Sequence, residues 1–245
     1  MRTKRVLFRW KWCALALTRP PPGEQGLSCA FIDWSTGGDE TTIASLDGNR
    51  LAIVAAFRER DAVQCVRRVA KLSREHSLAG GGVLLCADAG GIGAPMCDQL
   101  STDFGIFARR INNNSPAHKP VEFANLDAER CFSFRRALEK HLLILPADQE
   151  LMKQLSSRRL QYDQKARIQL EPKDSLRARG LPSPDRADAI IGAAAPLVCL
   201  SSGAINSQTL AGMKFGPLAG SRTLFAPDFD FDHEIPPERE SFRFE

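Results

Sequence analysis

Two apolar segments of the sequence each end in an aspartate, and these aspartates are the residues best placed to do chemistry. The first segment, Leu27 to Trp34, contains Asp33, and the second runs from Val83 to Asp88. A carboxylate at the end of a buried strand needs a cation or hydrogen-bond donors to offset its lost hydration. Ligands of open α/β sheets also lie at the carboxyl ends of the strands. We therefore predict that Asp33 and Asp88 converge on one polar site.

A third aspartate lies on a helix predicted near the end of the periodic part of the sequence. The segment Ser183–Asp188 begins with a serine typical of a helix N-cap and a proline suited to the first helical position. Asp185 lies in the first turn, on the same side of the helix as Asp188. Asp188 shares its stripe with small and apolar residues, namely Ile191, Gly192 and Ala195.

Carboxylates that meet in one crevice repel one another unless divalent cations neutralise them, and oxygen ligands suit Mg²⁺ or Mn²⁺. Two such ions about 4 Å apart can activate water and stabilise the leaving oxygen in phosphodiester hydrolysis. Asp33, Asp88 and Asp188 are the predicted catalytic set, and together with Asp185 they are the predicted ligands of two ions. Each of these residues also has a structural interpretation. Asp33 could cap the glycine-rich turn, Asp88 could cap the helix after Gly93, and Asp185 suits the dipole of a helix start.

The elements that must position these aspartates follow a clear order. Strands are predicted at 27–34, Thr41–Leu46 and Leu51–Phe57, joined by glycine turns as an antiparallel meander. A helix from Arg58 to about Leu78 leads to the second aspartate strand, which implies parallel pairing through a crossover. Later patterns predict a strand at Gly105–Arg110, a hairpin of Leu160–Tyr162 with Ile168–Leu170, and helices at Ala94–Leu100, Asn125–His141, Asp148–Leu155 and 183–200. The predicted fold class is α/β, with a mixed sheet flanked by helices.

Composition limits the class of protein. A chain of 245 residues with 43% hydrophobic and 25% charged residues is typical of one globular domain with appendages. The seven cysteines are scattered and include no CxxC spacing, which argues against a disulfide framework and a zinc knuckle. A formal net charge of +4 is too mild to establish a nucleic-acid partner.

Paired arginines, among them Arg158 and Arg159, could form a rim that faces DNA phosphates. Solvated helix faces explain such pairs equally well. The glycine turn after Asp88 lacks the GxGxxG pattern of dinucleotide sites, and the sequence contains no GxxxxGK[ST]. A GxSxG elbow for a nucleophilic serine is also missing from the sequence.

Together these motifs resemble the C-terminal nuclease domain of tailed-phage terminase large subunits, which is ribonuclease H-like. The resemblance covers about residues 27–198 and rests on FIDWSTGGDETT at 31–42, ADAGGIG at 87–93, FANLDAE at 123–129, LPAD at 145–148, Lys173, and RGLPSPDRADA at 179–189. By this resemblance Asp33 and Asp88 are strand-end metal ligands and Asp188 is the helix ligand. Lys173 and Arg179 are expected to face DNA.

The resemblance implies an Mg²⁺- or Mn²⁺-dependent endonuclease that cuts double-stranded viral DNA during genome packaging. The expected setting is the cytoplasm of a bacterial host, with a phage or prophage gene, and the expected partners are a packaging ATPase, a small terminase and a portal protein, with no membrane. Family members usually carry an N-terminal packaging ATPase, whereas about 26 residues precede the first motif here. The alternatives are another ribonuclease H-like nuclease, such as a resolvase, and an inactive prophage-derived DNA-binding or assembly module.

The predicted organisation is an N-terminal extension at 1–26, the nuclease domain at 27–200 and a C-terminal tail at 201–245 that is flexible or docks elsewhere. Arg9 and Lys11 interrupt the apolar stretch of the extension, which favours a strand or interaction segment over a signal peptide. The tail contains the acidic and aromatic run DFDFDH at 228–233.

Overall fold

A computed structural model of the chain describes residues 5–18, 28–80 and 82–201. Strands and helices follow one another in this order: β1 (Arg5–Val6), α1 (Trp10–Thr18), β2 (Ser28–Asp33), β3 (Thr41–Asp47), β4 (Arg50–Phe57), α2 (Ala62–Glu75), β5 (Leu84–Asp88), α3 (Gly93–Phe104), β6 (Arg109–Ile111), α4 (Leu126–Glu139), α5 (Gln149–Ser157), β7 (Arg159–Tyr162), β8 (Ile168–Leu170), α6 (Lys173–Ala178) and α7 (Asp185–Ser201). The predicted helices and strands are thus present, with shifted ends.

The main sheet has five strands in the order β4-β3-β2-β5-β6. Strands β2, β3 and β4 form the antiparallel meander, whereas β5 pairs parallel to both β2 and β6. This is the predicted mixed sheet. Strand β6 is shorter than predicted and begins later, because Gly105 ends α3 in the left-handed conformation, with φ at 65°.

Helices cover both faces of this sheet, which explains why β2 reads as a continuous apolar run. Side chains alternate along the strand, so Phe31 packs on one face and Ile32 on the other. The face of Ile32 is covered by α2 and α3, through residues that include Val69 and Leu100. The face of Phe31 is covered by α4, α5 and α7.

The N-terminal segment is part of this domain. Strand β1 pairs with β7, and β7 pairs with β8, which forms a second, three-stranded sheet. Phe8 is fully buried, and its ring meets the ring of Phe134 edge to face at 5.7 Å. Cys13 and Ala16 of α1 join the same core. Burial of these apolar side chains therefore packs residues 5–18 of the predicted N-terminal extension against the predicted domain.

Six cysteines are buried free thiols, namely Cys13, Cys29, Cys65, Cys86, Cys97 and Cys131. Burial raises the pKa of Cys13 to about 11. Burial also raises the pKa of Cys131 well above its ordinary value. These cysteines fill apolar space, as the sequence predicts. In the described part of the chain, no helix has the length and hydropathy needed to cross a bilayer. The predicted tail at 201–245 lies outside the described residues, except for Ser201.

Candidate metal centre

The strand register brings Asp33 and Asp88 side by side. Ile32 of β2 pairs with Ala87 of β5, so the two aspartates occupy the next position on adjacent parallel strands. Side chains at equivalent positions of parallel strands point to the same face of the sheet. Both carboxylates therefore lie at the carboxyl edge of the sheet, as the sequence predicts.

Two glycines allow the chain to turn closely around Asp88. The backbone N–H of Gly90 donates to Oδ1 of Asp88 at 2.9 Å. A Cβ atom at Gly93 would lie 2.1 Å from the backbone oxygen of Asp88, so a side chain cannot be accommodated there without movement of the backbone. The glycine turn thus donates a hydrogen bond to the Asp88 side chain and leads into α3.

A third glycine brings α7 against the sheet. A Cβ atom at Gly192 would lie 2.4 Å from the ring of Phe31, which means that the helix backbone itself packs on that ring. Asp188 lies one helical turn before Gly192, and Asp33 lies two residues after Phe31 on the same face of β2. This contact explains how a helix residue reaches the pair of strand-end aspartates.

Asp188 is held by two cations. Nη2 of Arg158 donates to Oδ1 of Asp188 at 2.8 Å, and Nζ of Lys173 lies 3.3 Å from Oδ2. Burial alone would raise the pKa of Asp188, but Arg158 and Lys173 outweigh that effect and hold the pKa below its ordinary value. Asp188 is therefore a carboxylate at neutral pH.

Asp33 has the opposite electrostatic environment. Burial is the largest cause that raises its pKa well above the ordinary value, followed by the negative charge of Asp188. Asp185 and Asp88 raise the pKa of Asp33 further, whereas Lys173 lowers it. The neighbouring carboxylates thus act more strongly on Asp33 than Lys173 does. A bound divalent cation would offset this excess of negative charge.

Asp185 has contacts that give it a structural role. The backbone N–H of Glu40 donates to Oδ2 of Asp185 at 2.7 Å, which ties the loop after β2 to the start of α7. The neighbouring Arg186 binds both carboxylate oxygens of Glu40 and also Oδ2 of Asp148. Burial raises the pKa of Asp185, while hydrogen bonds from Ser183 and from the Glu40 backbone lower it.

The structure places the four residues predicted to bind DNA in different environments. Lys173 has half of its side chain exposed beside Asp188, and Arg159 is partly exposed on β7. Arg158 is only 3% exposed and faces Asp188, so its prediction as a surface rim residue is wrong. Arg179 binds the buried Glu171 at 2.5 Å and the backbone oxygen of Ser157, so its guanidinium is held within the domain.

Sequence reasoning missed a chain of ion pairs beside Asp188, in which Arg158 contacts both Asp188 and Asp127. The contact of Arg158 with Asp188 was not predicted, and Asp127 of α4 was given no role, although it lies within the FANLDAE motif. Oδ2 of Asp127 is 3.9 Å from Nη2 of Arg158. The proximity of Asp127 to that arginine depends on how α4 packs on α7, which no local pattern reveals.

The donor chemistry of the site fits a divalent cation that prefers oxygen. Asp33, Asp88 and Asp188 supply only carboxylate oxygens, which suit magnesium and manganese. Among the described residues, no three acidic, histidine or cysteine side chains already form a metal-binding cluster. Both oxygens of Asp188 are instead paired with cations, Oδ1 with Arg158 and Oδ2 with Lys173.

Solved structures with the same fold are nuclease domains of phage large terminases. A lysine-to-alanine variant of the domain from bacteriophage Sf6, with manganese, matches with a TM-score of 0.64 and 15% identity over 77% of this chain and 98% of that chain. The nuclease of thermophilic phage G20c with bound magnesium matches with a TM-score of 0.56 and 16% identity over 79% of this chain and 96% of that chain.

The nuclease domain from Thermus phage P74-26 matches with a TM-score of 0.52 and 15% identity, over 76% of this chain and 93% of that chain. No protein-family model matches the chain, and no curated protein matches it in sequence. The predicted ribonuclease H-like fold class and the predicted resemblance to terminase nuclease domains are confirmed by these structural neighbours.

Proposed function

We propose that this chain is a metal-dependent endonuclease that cuts double-stranded DNA. The observation that carries the proposal is the register that places Asp33 and Asp88 at the carboxyl edge of β2 and β5, with the charge of Asp188 acting on Asp33, in a chain with the fold of terminase nucleases. The neighbours include domains solved with manganese, magnesium and cobalt, which supports a divalent cation as cofactor.

Asp33, Asp88 and Asp188 are the residues that would hold two Mg²⁺ or Mn²⁺ ions. When bound, such ions supply Lewis acidity to a phosphodiester and lower the pKa of attacking water. Asp33 contributes a buried carboxylate whose negative neighbours favour cation uptake. Asp88 is oriented by the backbone N–H of Gly90. Asp185 supports these three aspartates through its negative charge and through its hydrogen bond from the backbone N–H of Glu40, rather than as a required metal ligand.

Lys173 and Arg159 are the residues that we propose for contact with DNA phosphates. The side chain of Lys173 is half exposed and its ammonium borders Asp188, so we expect it to reach a phosphate that enters the site. Arg159 follows the buried Arg158 on β7 and remains partly exposed. These contacts would bind DNA with little preference for sequence.

The biological role proposed for this activity is DNA cutting during phage genome packaging. It rests on the fold shared with large terminase nuclease domains. A packaging ATPase, a small terminase and a portal protein are the proposed partners in the host cytoplasm. Co-purification of the full chain with these three proteins from the same phage or prophage would test this part of the proposal.

Nicking of supercoiled plasmid by the full chain in Mn²⁺ tests the proposed activity. We expect the wild-type protein to nick, and Asp88→Asn to lower the rate at least about a hundredfold, because the variant loses a charged metal ligand. Asp103→Asn is the matched control, since Asp103 is an exposed aspartate of α3. Failure of the pure wild-type protein to nick, or equal nicking by Asp88→Asn, would contradict the proposal.

A further inference from the structure

Arg158 is a buried cation beside the candidate metal centre. Its side chain is 3% exposed, and its Nη2 atom lies 2.8 Å from Asp188, 3.9 Å from Asp127 and 4.0 Å from Sγ of Cys131. Its Nε atom has no hydrogen-bond partner among the described residues. The guanidinium therefore joins α7 to α4 at the level of Asp188.

The backbone of Arg158 is fixed on both sides. Arg158 is the C-cap of α5, and its backbone N–H donates to the carbonyl of Leu155. Its own carbonyl accepts from the N–H of Leu7 at 2.8 Å. The residue thus lies where α5, the N-terminal segment and β7 meet. These backbone contacts fix the point from which the side chain reaches Asp188.

The contact between Arg158 and Asp188 is made by one nitrogen and one oxygen. Nη2 donates to Oδ1, whereas Oδ2 of Asp188 lies 3.3 Å from the ammonium of Lys173. The positive charge of Lys173 also acts on Asp33, so this lysine links Asp188 electrostatically to the strand-end aspartates. One oxygen of Asp188 is bound by the buried Arg158, and the other is paired with Lys173.

We propose that Arg158 is a positioning residue of the metal centre, which holds Oδ1 of Asp188 so that Oδ2 is directed toward Asp33. This inference rests on the proposed function. A buried ion pair contributes little net stability compared with apolar residues of similar size, because both charges lose their hydration. A partner that orients a metal ligand, in contrast, changes metal affinity by about tenfold to a hundredfold.

A competing role predicts a change of opposite sign. If Arg158 only competed with metal ions for the negative charge of Asp188, its removal would tighten metal binding. If Arg158 positions Asp188, its removal leaves that carboxylate to Lys173 and weakens metal binding. The sign of the change in affinity therefore separates the two roles.

Calorimetric titration of Mn²⁺ into the metal-free full chain tests the proposal without any measurement of cleavage. We expect Arg158→Met to raise the dissociation constant for Mn²⁺ by about tenfold to a hundredfold. Arg158→Lys keeps the charge and should recover part of this loss, because its shorter, single-point donor matches the carboxylate less well. Arg135→Met is the control, since Arg135 binds the partly exposed Glu139 one turn along α4.

Circular dichroism identifies the variants that fold. If Arg158→Met does not fold, the Mn²⁺ affinity of Arg158→Lys is measured in its place. Unchanged or tighter Mn²⁺ binding by folded Arg158→Met, or by Arg158→Lys in its place, would overturn the positioning role. If the wild-type protein takes up Mn²⁺ and nicks plasmid while the Arg158 variants bind equally well, only this inference fails. If the wild-type protein takes up no Mn²⁺, the proposed function fails with it.

Discussion

The close contact between α7 and β2 can be tested with the smallest possible side chain. In Gly192→Ala, the added Cβ would lie 2.4 Å from the ring of Phe31, below the 3.0 Å that side-chain carbons keep from other atoms. Such overpacking costs about 1–3 kcal/mol. Alanine offsets about 1 kcal/mol of this through its higher helix propensity. We expect a net loss of up to about 2 kcal/mol in the free energy of unfolding.

The same substitution should also weaken Mn²⁺ binding, because the displaced helix carries Asp188 away from Asp33. Urea denaturation followed by circular dichroism measures the stability, and calorimetry measures the affinity. Phe31→Leu provides the matched second change, because a smaller side chain makes room for the added methyl group. In the double variant Phe31→Leu/Gly192→Ala, we expect the two losses of stability to be less than additive by about 0.5–3 kcal/mol.

The result that would refute this reasoning is a Gly192→Ala variant as stable as the wild type, with unchanged Mn²⁺ affinity. Strict additivity in the double variant would also refute it, because the added methyl group would then not meet Phe31. Neither result depends on whether the protein cuts DNA.

Two further predictions concern stability. Asp33→Asn should raise the melting temperature of the metal-free protein at pH 7, because burial and then the charge of Asp188 raise the pKa of Asp33 in the folded state. A raised pKa means that Asp33 favours folding most at low pH and loses this contribution as pH rises through its folded pKa. The rise in melting temperature caused by Asp33→Asn should therefore shrink toward pH 4. Calorimetric melting at both pH values checks this, and an equal gain at both would contradict it. Phe8→Ala should lower the free energy of unfolding by about 3–5 kcal/mol, because its buried ring packs on Phe134. Urea denaturation checks this, and a loss below about 1 kcal/mol would mean that the segment does not pack as described.

The main sheet and two of its aspartates could be predicted from the sequence because their signals are local. Apolar runs that end at Asp33 and Asp88, with glycine turns after them, predict buried strands whose ends face one crevice. Pairing of these two strands then fixes their register. Asp188 could be placed beside them because the helical period puts it on a stripe of small residues.

Other features depend on contacts between distant parts of the chain. Arg158 and Arg159 look alike in sequence, yet one is buried against Asp188 and the other is partly exposed. Which of them turns inward depends on where α4 and α7 place their carboxylates. The packing of Phe8 was missed for the same reason, since Phe134 lies 126 residues further along the chain.

The burial of six free cysteines makes the thiols a built-in reporter of opening motions. A thiol-specific reagent in water cannot reach them while their surroundings stay closed, so each label records an opening event at a known place. Cys13 reports on the N-terminal helix, Cys65 and Cys97 on the helices of the opposite face, and Cys131 on the neighbourhood of Arg158. Mass spectrometry of labelled peptides would therefore rank the parts of the domain by how often they open.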